Sequence, residues 1–222
     1  MTLRCIRQKG GTIAERQLNM KKMRVLQLCQ LALLISIEFV MSFTPLGFLN
    51  LGFLSASLLT IPVAVGAIIL GPAESTILGL VFGLISFYKG FSSASAMTAA
   101  MYAASIPGSF ITAVVGRVLM GFGCGWIVQL IRKLAVGNHF ADCVAGGLAA
   151  PLLNTAFYMG FLMLIFYHTA YIQNLIRTLG ISNPVLLIGA MVGVQALIEA
   201  VTCCIIASAV GRALKAALRV SH

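Results

Sequence analysis

Acidic side chains are scarce in this 222-residue chain, with five Asp and Glu against 15 Lys and Arg. Charged residues make up only 9% of it, where a soluble domain carries about a quarter. That shortage excludes an ordinary water-facing surface. Catalytic motifs are missing too. There is no GxxxxGK[ST], which excludes ATP binding through a P-loop, and neither HExxH nor GxSxG occurs. His139, His168 and His222 stand apart from one another. The cysteines Cys5, Cys29, Cys124, Cys143, Cys203 and Cys204 form no CxxC and mostly lie in apolar runs, where they read as small core residues. Neither a metal site nor a disulfide framework is indicated, and no cofactor is implied. No nucleophile or metal cluster accompanies the few acids, so binding or transport outranks enzymatic chemistry.

What the chain has in abundance is apolar sequence: 60% of residues are hydrophobic and the mean hydropathy is +1.02. This composition predicts an all-α integral membrane protein, with the bilayer as its solvent. The net charge of +10 would suggest nucleic acid in a soluble protein. Here the basic residues sit at the ends of apolar runs, which points to membrane orientation and away from nucleic acid. Residues 1–23 form a basic tail, read as disordered, ahead of one membrane domain over 24–218. "MKKMRVLQLCQLALLISI" has the outline of a signal peptide, but no small-x-small cleavage site closes it and further apolar runs follow.

A span needs about 20 apolar residues to cross ~30 Å of hydrocarbon. Six are read, over 25–43, 55–70 (short), 73–89, 108–131, 140–167 and 184–211. Gly71-Pro72 makes a tight turn, with Pro72 suited to opening the third span. Arg132, Lys133, Arg212, Lys215, Arg219 and the basic tail fall on one side, against Lys89 and Arg177 on the other. Both termini are therefore expected in the cytoplasm, in a multi-pass plasma-membrane protein. The outer loops are then 44–54, 90–107 and 168–183, and long loops on a rigid scaffold tend to carry function.

Ionisable groups inside spans are costly and mark function or pairing. Glu38, Arg117 and Glu199 are such groups. Helical rise places Arg117, Tyr158 and Gln195 about 14–16 Å below the outer edge, and Asn154 and Glu199 about 20–22 Å below it. Asn154/Tyr158 and Gln195/Glu199 are each spaced i,i+4 and share a helix face. Pro151, near Asn154, is a candidate kink. The set reads either as an internal network, with Arg117 paired to Glu199 or Glu38, or as a pocket open to the outside. A structural pair does not require five polar groups, which favours the pocket. Glu74 and Asp142 begin spans and suit helix N-termini. Small residues recur four apart at Gly79/Gly83, Gly121/Gly125, Gly189/Gly193 and Ala32/Ser36, as at close helix contacts. The broken stretch "TPLGFLNLGFLSASLLTIPV" (44–63) reads as a loop over the pocket followed by a short span loosened by Pro62, with Asn50 and Ser57 as ligand contacts or local caps.

"SFTPLGFLNLGFLSASLLTIPVAVGAIILGP" followed by "AESTILGLVFGLISF" resembles the first half of the substrate-binding (S) components of energy-coupling factor (ECF) vitamin transporters. Gly116-Arg117-Val118-Leu119-Met120-Gly121, Leu152-Leu153-Asn154-Thr155 and Gln195-Ala-Leu-Ile-Glu199-Ala200 resemble that family's later motifs, and the similarity covers about 24–218. The resemblance implies high-affinity capture of a vitamin at the outer face. It implies delivery through a transmembrane coupling subunit driven by two ATPase subunits, with Ala32 and Ser36 in the docking surface. It implies that the first and third outer loops and the outer parts of spans 4–6 enclose the ligand, and the candidate contacts are Asn50, Ser57, Thr60, Arg117, Asn154, Tyr158, Gln195 and Glu199. The pantothenate-type branch is nearest, although its members often carry His where this chain has Thr60. The riboflavin branch has acids entering the second span that "FLSASLLTIPV" lacks. An Arg also suits a carboxylate ligand. An ion-coupled carrier working alone is the alternative.

Overall fold

The computed structural model describes residues 13–44, 47–50, 55–92, 96–134, 139–179 and 183–220. In chain order these form α1 (Ile13–Phe43), β1 (Phe48–Asn50), β2 (Ser55–Ser57), α2 (Thr60–Ile69), α3 (Pro72–Ser92) and α4 (Ala96–Ala104). There follow α5 (Ile106–Phe110), a π-helical turn (Ile111–Val115), α6 (Gly116–Leu134), α7 (His139–Phe166), α8 (Ala170–Leu179) and α9 (Pro184–Val220). The fold is that of an all-α membrane protein with one small antiparallel hairpin, in which Phe48 faces Ser57 and Asn50 faces Ser55. Among the described residues, five stretches are long and apolar enough to cross a membrane: Arg24–Phe43, Pro72–Ser92, Ile106–Leu134, Phe140–Phe166 and Ala196–Leu214.

The second expected span differs. α2 has only 10 residues, about 15 Å of helix, and begins at Thr60 rather than near 55 because residues 55–57 pair with β1. Pro62 does not loosen this helix. It sits in the first turn, where its missing N–H has no intrahelical partner to lose. Thr60 through Ile68 are all buried, and α1, α3, α6, α7 and α9 all pack against α2. An apolar run without a polar face belongs at such an axis. The core gathers there: Val63, Val65 and Ile68 meet Leu78, Phe82, Met120, Val128, Cys124, Cys143 and Cys203. All three cysteines are buried, as small apolar residues.

Other expectations shift at their edges. α1 starts at Ile13, so the helix reaches back into the stretch expected as a basic tail. The outer stretches 90–107 and 168–183 contain α4 and α8, helices too short to register as spans. α7 stays helical through Pro151.

Gly71 closes the α2–α3 turn. Its φ of +121° is a backbone state that L side chains avoid, while its N–H donates to the Gly66 carbonyl at 3.1 Å. Gly71→Ala should cost about 1–2 kcal/mol and lower the melting temperature of the purified protein by several degrees. An unchanged melting temperature would show that the turn relaxes freely.

α3 and α6 cross closely along two of the small-residue pairs. A Cβ on Gly79 would overlap the Arg117 carbonyl, one on Gly83 would press on Val114, and one on Gly121 would overlap the Ser75 carbonyl. Ser75 uses that approach to donate from Oγ to the Gly121 carbonyl at 2.8 Å. Gly189 and Gly193 behave otherwise, since a Cβ there would meet nothing within 4 Å among the described residues.

The two ends of the bundle have different chemistry. At one end Arg132 lies 3.3 Å from Asp142 Oδ2 and donates to the Ile68 carbonyl at 2.8 Å, tying α2, α6 and α7 together. Arg212 stacks 5.6 Å over Phe140 nearby. At the other end lie the hairpin, α4, α8 and Lys89, which donates to the Ser42 carbonyl in the last turn of α1. A cation on a terminal helix carbonyl satisfies a group that the helix leaves open.

Candidate functional site

Arg117 is the centre of the site. The π turn immediately precedes it, and the Gly116 N–H donates back to Ile111 across this wider turn. Such a turn changes which side chains face inward and recurs at functional sites. Arg117 folds back along its own helix, and Nη1 donates to the Ala113 carbonyl at 2.9 Å. Its guanidinium lies 4.5 Å from the ring centre of Phe82 on α3 and 5.0 Å from that of Tyr158 on α7. Two aromatic faces thus hold a buried cation, while Nε has no hydrogen-bond partner among the described residues. No ion pair within 4.0 Å involves Arg117 among the described residues.

Thr60 and Glu199 are brought together at the start of α2. The Thr60 hydroxyl lies 3.2 Å from the Ser57 carbonyl and 3.5 Å from Glu199 Oε1. It has one proton to give, so it serves one of them at a time. Glu199 is 3% exposed. Neither of the two internal pairings considered for Arg117, with Glu199 or with Glu38, forms an ion pair within 4.0 Å among the described residues. Counting helical rise puts Glu199 a layer below Arg117. The hairpin explains why it nevertheless meets Thr60, because β1 and β2 occupy the outer depth and α2 starts deep.

The remaining residues divide. Ser57 is buried and its Oγ is unpartnered among the described residues, as is Asn154 Oδ1 on α7. Tyr158, one turn beyond Asn154, points its hydroxyl at Met101 Sδ at 4.0 Å. The side chains of Asn50 and Gln195 lie outside those described; the backbone of Asn50 ends β1 and that of Gln195 is within α9. Ala32 and Ser36 are exposed on α1, away from the other site residues. Sequence reasoning missed Phe82, Met101 and Tyr102. Phe82 carries no polar signal, and α4 was read as loop although Met97, Met101 and Tyr102 pack at helical spacing against Leu162, Met163 and Phe166 of α7.

Groups left unpaired in a buried interior carry a free-energy penalty that a suitable occupant removes. This site offers a cation with a free donor, a carboxylate, a hydroxyl and an amide oxygen, walled by aromatic faces. That combination suits a small molecule with an acidic group and several hydrogen-bonding groups. A family model described as ECF transporter, substrate-specific component, matches residues 26–211. A comparison with curated proteins gave no match.

Proposed function

Because the chain belongs to the substrate-specific component family of ECF transporters, we propose that it captures an anionic vitamin, with pantothenate the favoured substrate. It is a transporter component rather than an enzyme, working with an ECF module. Capture takes place at the end that carries the hairpin, α4 and α8. That end faces outward because Arg132, Lys133 and Arg212 gather at the opposite one and basic residues favour the cytoplasmic side. A transmembrane coupling subunit and two ATPase subunits then drive release inward.

The observation that supports an anionic substrate is Arg117. It is 8% exposed, lies between two ring faces, and keeps an unpartnered Nε. Arg presents a planar fork that matches a carboxylate. Asn154 supplies an amide oxygen from the neighbouring helix for a donor on the same molecule. Thr60 stands 3.5 Å from Glu199 Oε1 and gives it a hydrogen-bond partner.

Isothermal titration of the purified protein against pantothenate, riboflavin and the other B vitamins tests this reading. Pantothenate should bind with a dissociation constant below about 1 μM, equivalent to roughly 8 kcal/mol, and riboflavin much more weakly. Silence across the whole panel would overturn it. Uptake by liposomes containing the chain without any ATPase would instead establish a carrier working alone.

A further inference from the structure

Glu38 is used by nothing described so far. It is 0% exposed, and neither carboxylate oxygen has a hydrogen-bond partner among the described residues. Ser42, one turn further along α1, is also 0% exposed with an unpartnered Oγ. Leu34, one turn before Glu38, approaches α2, because a Cβ on Gly66 would lie 3.7 Å from Leu34 Cδ1. Leu34, Glu38 and Ser42 are thus one inward stripe at i,i+4 spacing. Its outer end meets the base of the hairpin: a Cβ on Gly47 would lie 3.3 Å from Ser42 Cα, the Leu58 N–H donates to the Gly47 carbonyl at 3.2 Å, and Phe48 pairs with Ser57. Ser57 Oγ is likewise unpartnered among the described residues.

We infer that Glu38, Ser42 and Ser57 form a second polar subsite that receives a hydrogen-bond-donating end of the substrate, a hydroxyl or an ammonium group. This rests on the reading of the chain as a capture component and extends it to the substrate's other end. The subsite presents the acceptors of a carboxylate and two hydroxyls, whereas the Arg117 end presents a cation. Thr60 stands between Ser57 and Glu199, its hydroxyl 3.2 Å from the Ser57 carbonyl and 3.5 Å from Glu199 Oε1. Open acceptors at one end and an open cationic donor at the other select an elongated molecule with a carboxylate at one terminus and a hydroxyl or ammonium at the other. Riboflavin has no carboxylate, and a simple fatty acid has no donor. Pantothenate has both features. The nearby Lys89 is engaged with the Ser42 carbonyl, which leaves the Ser42 hydroxyl to the ligand.

The experiment is isothermal titration of the full chain, parent and Glu38→Gln, with pantothenate and with an analogue lacking its terminal hydroxyl. Deleting a buried hydrogen-bond partner predicts a roughly 10- to 100-fold loss for pantothenate in Glu38→Gln. The analogue should lose as much in the parent and lose no more in the variant, because both changes delete the same contact. Ser42→Ala, a smaller change, should show the same pattern with a several-fold loss and serves if Glu38→Gln does not fold. Equal affinity of parent and variants for pantothenate overturns the subsite while leaving capture at Arg117 intact. Equal weakening of pantothenate and analogue overturns it too, since it marks a structural role for Glu38. Pantothenate binding that depends on sodium in the parent but not in Glu38→Gln would assign these oxygens to an ion and overturn it. Failure of the parent to bind pantothenate at all overturns the capture reading, and the subsite falls with it.

Discussion

Arg117→Ala is expected to weaken pantothenate binding by about 30- to 1,000-fold, the equivalent of roughly 2–4 kcal/mol, while leaving neutral ligands unaffected. The size follows from burial. A guanidinium at 8% exposure, walled by Phe82 and Tyr158, acts on a ligand carboxylate with little screening by water. Truncating one member of such a pair leaves the other desolvated and alone. Arg117→Lys should fall between parent and Ala, because an ammonium keeps the charge and loses the planar two-point fork. The empty protein supplies the control. Among the described residues Arg117 makes one hydrogen bond, to the Ala113 carbonyl in the preceding π turn, and Nε is unpartnered. Removing a cation so poorly satisfied should leave the melting temperature of the ligand-free variant unchanged or raise it. A lower melting temperature with intact affinity would instead make Arg117 a strut for Glu199, and the pocket reading would fail.

The same residue shows where the sequence is legible and where it stops. An ionisable residue in an apolar run is visible on inspection, and its i,i+4 companions on α7 follow from helical geometry, so Arg117 and Tyr158 meet as their equal depths require. The third to fifth apolar runs give α3, the α5–α6 stretch and α7 to within a few residues, because lipid imposes a minimum length on each span. Elements shorter than that minimum are what sequence reading loses. α2 is half a span, completed by a hairpin whose strands have three residues each, and no periodicity is detectable over so short a run. α4 and α8 were absorbed into loops for the same reason. The π turn before Arg117 carries no composition of its own. Phe82 is one apolar residue among many until Arg117 is laid against its ring.

Replacing Ala32 and Ser36 together by Leu is expected to reduce uptake about tenfold or more while pantothenate binding by the isolated chain stays at the parental value. Both residues are exposed on α1, on the side opposite the Leu34–Glu38–Ser42 stripe that packs inward. The Ser36 hydroxyl donates to the Ala32 carbonyl at 2.8 Å, so this polar group is satisfied within its own helix and makes no demand on a neighbour. The result is a shallow strip between the larger exposed side chains Leu33, Ile37 and Val40. Lipid gains nothing from such a strip, whereas another helix can approach closely along it. Two Leu side chains would fill it. Overpacking a helix contact costs roughly 1–3 kcal/mol per site, and each 1.4 kcal/mol is a factor of about ten in association. The fold should not respond, since both new side chains project toward lipid. Transport assays in cells that contain the ECF module, run beside titration of the purified variant, separate the two effects. Unchanged uptake would move the docking surface elsewhere on the bundle. Loss of binding together with uptake would mean that α1 shapes the pocket from its outer side as well as through Glu38.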